Sequence, residues 1–285
     1  MTNTAATLDD DTGLWSQAVP RLGFQHSGIL SLMLALSSYQ LSRTEPLDSA
    51  KFLGLAEHHM TAALQSATGL LQQLNNENSP ALYITAVLVC FTAFAKGPHR
   101  GNLLLVASDG QVPWLSLMRG VRLVIKSVGW SYIFSGVLAP YFPRSSPQGE
   151  MEKAVSSAAL DPGEVEDWRA SLDDISDPID VCSEQPLRKT YRQDLEDLKS
   201  YFESTFGKGH HSRVDVHGQM EVVFHWIYQL DDAFVAGLST KDPIALIILG
   251  YFCVLLRTLE RYWFLEGWAS HIMREILQSS KASRK

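Results

Sequence analysis

The chain has 285 residues, 46% of them apolar and 10% aromatic, which excludes disorder throughout and suffices for a substantial core in one large domain or two closely joined ones. Its formal net charge of −7, with no cluster of Lys and Arg, argues against a nucleic-acid surface, because phosphate binding relies on clustered cations. Three widely spaced cysteines, Cys90, Cys182 and Cys253, two of them inside apolar runs, suit a reducing cytoplasm or nucleus. The polar, acidic start "MTNTAATLDDDTG" has neither a basic n-region nor an apolar h-region, so no secretory signal is expected and residues 1–13 read as disordered. The locally basic tail "SKASRK" reads as a frayed helix end.

The first helix is expected over Phe24–Leu41, where apolar residues recur at helical spacing until "SRTEP". A second starts near Pro46 and runs through "KFLGLAEHHMTAALQSATGLLQQL" to the polar "NNENS", and a third starts at Pro80. After "KGPHRGNLLLVASDGQVP" a fourth covers Trp114–Val128, and "LAPYFPRSSPQGE" ends it with three prolines and a glycine. Residues from about 145 to 187 are acidic, Ser-rich and Pro-containing, and read as a mobile connection with one short helix near Val165–Leu172. Helices resume in "YRQDLEDLKSYFEST" and "EVVFHWIYQL". The last has Asp242 as N-cap and Pro243 in its first turn, and is expected to continue unbroken to about Leu277. The apolar runs Ala81–Ala95 and Pro243–Leu256 fall short of the roughly 20 residues a bilayer span needs and read as buried core helices. No convincing strand alternation is present, so the expected fold is all-α: residues 14–285 as one multi-helix orthogonal bundle with a buried apolar pocket and one long C-terminal helix.

Most catalytic and metal signatures fail on context. "DDISD", Asp173–Asp177, has the carboxylate spacing that holds a magnesium diphosphate, but Pro178 follows at once and no second metal motif lies at the right distance. His58 and His59 are adjacent and point to different helix faces, and His210, His211 and His217 lack partner cysteines or an H-x-x-x-H pair, so no metal and no cofactor is expected. No G-x-S-x-G elbow, P-loop or G-x-G-x-x-G fingerprint occurs. The stretch that asks for explanation is "ERYWFLEGWASHI", Glu260–Ile272, where Tyr262, Trp263, Phe264 and Trp268 crowd around Glu266 and Gly267. Rings beside a glycine can flank a flat ligand, although such rings more often pack a core.

Four further segments share one pattern: "LWSQAVPRLGFQHSGILSLMLALSSYQLS", "AEHHMTAALQSATGLL" with "SPALYITAVLVCFTAFA", "VPWLSLMRGVRLVI" with Trp114, Arg119, Gly120 and Arg122, and "DPIALIILGYFCVLLRTLERYWFLEGWASHI" with its Trp-x-x-x-Gly-Trp end. In this order they resemble the C-terminal regulatory domain of fungal zinc-cluster transcription factors of the sterol uptake control protein type. The resemblance covers most of residues 14–277 apart from about 145–187. It implies an all-α domain with a lipophilic, sterol-sensing pocket near the closing helix, often dimeric, in the nucleus or cytoplasm. It points to Trp114, Arg119, Tyr262, Trp263, Glu266, Gly267 and Trp268 as ligand-binding candidates. Family members also carry a six-cysteine zinc cluster, which three scattered cysteines cannot build, so direct DNA binding is not expected of this chain. The chain is then either a fragment or a natural stand-alone domain, and its Met-Thr start favours the second.

Two functions of different class fit these expectations. One is a binding or regulatory protein for an apolar ring-containing molecule, sterol or terpenoid-like, acting as a homodimer or with a zinc-cluster partner. The other is a cofactor-free enzyme, a pericyclase, cyclase or isomerase of secondary metabolism, with His225, Asp232 and Glu266 as candidate catalytic groups. His225, Gln229 and Asp232 would share a helix face if the helix ran that far; alternatively that face is solvated and Asp231 or Asp232 caps the next helix. Glu266 falls on the apolar stripe Leu255, Leu259, Tyr262, Ala269, Met273 and Ile276. A carboxylate buried there would require a partner, and Arg119 is the expected one; alternatively the helix rotates at Gly267 and lets Glu266 reach water.

Overall fold

The computed structural model describes residues 13–72, 75, 77–107, 110–111, 115, 119, 122, 126, 128–141, 168–182, 185–207 and 219–282. These residues are almost entirely helical, as the patterning requires, with a single two-residue hairpin in which β1 (Val106–Ala107) pairs antiparallel with β2 (Gly110–Gln111). The chain divides into two compact units. Unit 1 comprises Met1–Gly97, Pro113–Arg144 and Tyr262–Leu265; unit 2 comprises Pro98–Val112, Ser145–Arg261 and Glu266–Lys285. Periodicity reports which residues are buried, not which neighbour buries them, so a chain that returns to an earlier unit for four residues leaves no sign of it in the pattern.

Unit 1 is built from α1 (Val19–Gln25), α2 (Ser27–Thr44), α3 (Ser49–Gln72), α4 (Ser79–Ala95) and the short α5 (Trp130–Ile133). The helix expected over Phe24–Leu41 is split at His26, whose extended backbone (φ −127°, ψ 102°) separates α1 from α2. Among the described side chains of α3, Ala56 and Ala63, two turns apart, are the fully buried ones, and this small-residue seam lets α2 approach closely. A Cβ on Gly28 of α2 would stand 2.7 Å from the Ser66 hydroxyl, so any larger residue there would force Ser66 to shift. The apolar α4 is buried all round, with Leu82, Ile84, Leu88, Val89, Phe91 and Phe94 in the core, as a central helix should be. Of the expected fourth helix, Leu115, Arg119, Arg122, Lys126 and Val128 have helical backbone; the rest, Trp114 included, lies outside the described residues.

Unit 2 contains α6 (Trp168–Asp173), α7 (Ser176–Cys182), α8 (Gln185–Phe206), α9 (Met220–Gln229), α10 (Asp232–Ser239), α11 (Pro243–Arg257) and α12 (Trp268–Ala282). Part of the stretch expected to be a mobile connection is therefore helical, because Leu172, Ile175 and Ile179 supply apolar anchors that are fully or almost fully buried. On α8, Tyr191, Leu195, Leu198 and Phe202 recur at helical spacing on the buried face. Asp242 caps α11 as expected, its Oδ1 accepting from the Ile244 and Ala245 amides, with Pro243 in the first turn.

The expected long closing helix is two helices. α11 stops at Arg257, residues 258–267 form turns, and α12 starts at Trp268 after Gly267, which adopts φ +78°. Within the turns Leu259 and Glu260 bond back three residues, to Leu256 and Arg257, and end the α-helical ladder. Tyr262, Phe264 and Leu265 are all buried, and all belong to unit 1. Positions 262 and 264 would diverge by about 200° on an α-helix, so only a broken backbone can deliver both rings to one core.

Candidate functional site

The closing segment anchors itself in unit 1 through an aromatic ladder. Phe264 stacks on Phe91 of α4 with ring centroids 5.0 Å apart and planes at 28°, and Phe91 in turn meets Trp15 at 5.2 Å. Tyr262 lies 6.0 Å from Phe264 on one side, and Trp263 stands perpendicular to it at 5.7 Å on the other. Such offset and edge-on pairs add stabilisation beyond area burial. Phe264 and Tyr262 are thus core residues, 1% and 3% exposed.

Trp263 is placed differently. Its ring carries the Arg43 guanidinium at 5.1 Å, and that guanidinium also donates to the main-chain oxygens of Trp263 and Ala95. Arg43 is in the last turn of α2 and Ala95 ends α4, so the cation sits where unpaired carbonyls collect. Trp263 is half-buried, yet its Nε1 is shut off from solvent and has no hydrogen-bond partner among the described residues. A buried donor left unpaired costs roughly 1–3 kcal/mol and asks for an explanation. Because Arg43 itself is exposed, its bonds are partly screened: Arg43→Lys, which loses the fork, is expected to lower stability by about 1 kcal/mol in a denaturant titration.

Trp268, 2% exposed, belongs to unit 2, where its ring meets His271 edge-on at 6.4 Å. The His271 Nε2 lies 3.0 Å from the Asn102 carbonyl, and the Gly101 amide donates to Glu275 at 3.2 Å, tying the 98–112 segment to α12. Glu266 and Gly267 are exposed. The burial that called for a partner to Glu266 is therefore absent: the left-handed turn at Gly267 takes the carboxylate off the apolar stripe and into water, and the expected pairing with Arg119 loses its cause. Arg119 is half-buried in unit 1.

His225, Gln229 and Asp232 do not lie on one helix. His225 and Gln229 lie together on α9, the Gln229 amide 2.7 Å from His225 Nε2, but the helix ends there. Asp231 caps α10 by accepting from the Ala233 amide at 2.8 Å, and Asp232 is exposed in that helix's first turn. Among the described residues no three His, Cys, Asp or Glu side chains are grouped to hold a metal ion. Asp173 of the "DDISD" segment forms an ion pair with Lys199 at 2.8 Å, while His210, His211 and His217 lie outside the described residues. A cleft of about 460 Å³ on α8 is lined by Arg188, Lys189, Arg192, Gln193 and Glu196 and carries none of the expected site residues. Among the described residues no single helix is long and apolar enough to cross a membrane.

Arg43, Phe91 and Trp15, which build the surroundings of the closing segment, are not legible as site residues in the sequence. Arg43 and Trp263 are 220 positions apart, and "LSRTEP" signals only a helix end.

Residues 5–153 match the family described as fungal specific transcription factor domain, and the chain belongs to that family. Its relatives are more particular. It is 25% identical over 287 residues to a Zn(2)-C6 fungal-type transcription factor of Gibberella zeae, covering 94% of this chain and 52% of that protein. It is 22% identical over 273 residues to sterol uptake control protein 2 of Saccharomyces cerevisiae, covering 89% of this chain and 26% of that protein. With sterol uptake control protein 2 of Candida albicans it shares 24% identity over 274 residues, 90% of this chain and 35% of that protein. The chain thus spans about half or less of the length of these relatives.

Proposed function

We propose that this chain is a ligand-responsive regulatory domain that binds an apolar, ring-containing small molecule of sterol or terpenoid type through the closing segment. The observation that carries this reading is Trp263: an indole N–H enclosed without a partner among the described residues, on a half-buried ring in an aromatic neighbourhood. A lone donor in such surroundings suits a ligand that is mostly hydrocarbon with a single hydroxyl or carbonyl oxygen. Two relatives bear the name sterol uptake control protein, which supports the same class of ligand. Regulation in sterol or secondary metabolism follows from it, in the nucleus or cytoplasm, through a second copy of the chain or a zinc-cluster partner.

Native mass spectrometry of the purified protein, followed by organic extraction, tests this reading. The expected result is a co-purifying or added apolar ring compound bound at one per chain, with a higher melting temperature, since any ligand that favours the folded state stabilises it. No bound mass and no thermal shift across sterol and terpenoid panels would remove the ligand role.

A further inference from the structure

Unit 2 encloses a carboxyl group among neighbours of its own sign. Asp194, on the inner face of α8, is 6% exposed, and its Oδ2 is closed to solvent and lacks a hydrogen-bond partner among the described residues. The groups close enough to act on it electrostatically are Tyr191 and Asp197 of α8 and Asp231 from the turn between α9 and α10. Beyond Tyr191, at the start of α11, stands Asp242. From α9 comes Trp226, whose Nε1 donates to the Asp194 main-chain oxygen at 3.0 Å. The described ion pairs of nearby cations run to other carboxylates: Arg192 to Asp180, Lys199 to Asp173 and Glu196, Arg169 to Glu203. An ionised carboxylate with one oxygen closed to solvent, no donor to that oxygen among the described residues and like charges acting on it is a costly state for this position.

We propose that Asp194 is a proton-sensing switch of unit 2: neutral, it stays inside where α8 packs on α9; ionised, it draws in water and loosens that contact. Burial first, then the charges of Asp197 and Asp231, pushes its carboxyl up to about 7, so the change falls near neutral pH. The sign follows from linkage. Between the ordinary Asp range near 4 and about 7 the folded chain keeps a proton that the unfolded chain releases, so this site's contribution to stability is whole below about 4 and is lost as pH rises through about 7. The transmitting element is Trp226, 1% exposed, stacked on Phe252 of α11 at 4.6 Å and edge-on to Phe234 of α10 at 5.7 Å. A loosened α8–α9 contact therefore reaches two further helices of the unit.

The test is amide hydrogen exchange of the whole chain between about pH 5.5 and 8, corrected for intrinsic exchange rates, with Trp emission in parallel. The expected result is a roughly tenfold or greater fall in protection of α8 and α9 as pH rises from about 5.5 to about 7, levelling off above that, since between the ordinary Asp value and the raised one each pH step of one changes the linked equilibrium about tenfold. Asp194→Asn should abolish this dependence. Asp197→Asn, which removes a like charge and leaves the switch, should move its midpoint to lower pH, a response that a merely structural role for Asp194 would not give. An unchanged pH profile in Asp194→Asn overturns the proposal. Should that variant not fold, the carboxyl-carbon shift of Asp194 in the unmodified protein decides: titration near 7 supports the switch, and titration near the ordinary value of about 4 overturns it.

Discussion

Phe264→Ala is expected to destabilise the protein by about 3–5 kcal/mol, the range for truncating a fully buried aromatic ring. The ring is 1% exposed, stacked on Phe91 and edged by Trp263, so its removal takes away the member of the ladder that touches both. Helix propensity does not soften the loss, because residue 264 lies in the turns between α11 and α12 and Ala gains nothing there. Two residues further on, the exposed Glu266 offers the contrast: Glu266→Gln should stay within about 0.5 kcal/mol of the parent. Chemical denaturation of the two variants side by side distinguishes a segment anchored by its rings from one pinned by its carboxylate. A small effect at 264 with a large one at 266 would reverse this description of the closing segment.

Gly237→Ala should cost about 2–3 kcal/mol, although Gly237 is inside a helix, where alanine is ordinarily the better residue by roughly 1 kcal/mol. A Cβ built on Gly237 would overlap the Tyr191 hydroxyl oxygen, and Tyr191 is fully buried in a close-packed interior. The obstruction is thus one atom, which makes the prediction sharp: Tyr191→Phe, which deletes that oxygen, should restore much of the stability that Gly237→Ala loses. Gly54 in α3 serves as the internal control, since nothing lies within 4 Å of its would-be Cβ and Gly54→Ala should be neutral to stabilising. Equal penalties for Gly237→Ala in the parent and in the Tyr191→Phe background would show that the close approach is not the cause.

Local signals in the chain are legible where they are self-contained. The all-α class follows from apolar spacing alone; Asp242 followed by Pro243 marks the start of α11; and Asp231, a candidate cap for the following helix, accepts the Ala233 amide. What stays hidden is set by long-range packing. Leu255, Leu259, Tyr262, Ala269, Met273 and Ile276 keep helical spacing straight through the break, so only Gly267 hints that the backbone turns. That Phe264 meets Phe91, or that Arg43 reaches Trp263, depends on which unit recruits the segment, and no local pattern encodes it. Asp194 is hidden for a different reason. "DLEDL" looks like a solvated acidic face, yet Tyr191, Leu195 and Leu198 place residue 194 on the buried side of the same helix.

The most direct measurement of the central claim is a tryptophan-emission titration of the protein and of Trp263→Phe with one sterol and one terpenoid alcohol. The expected result is saturable quenching in the parent by at least one of them, with weaker binding and most of the quenching lost in the variant, because Phe retains the ring face but not the N–H. Flat emission and an unchanged melting temperature with both compounds would contradict it, as would equal affinity and equal quenching in the parent and in Trp263→Phe.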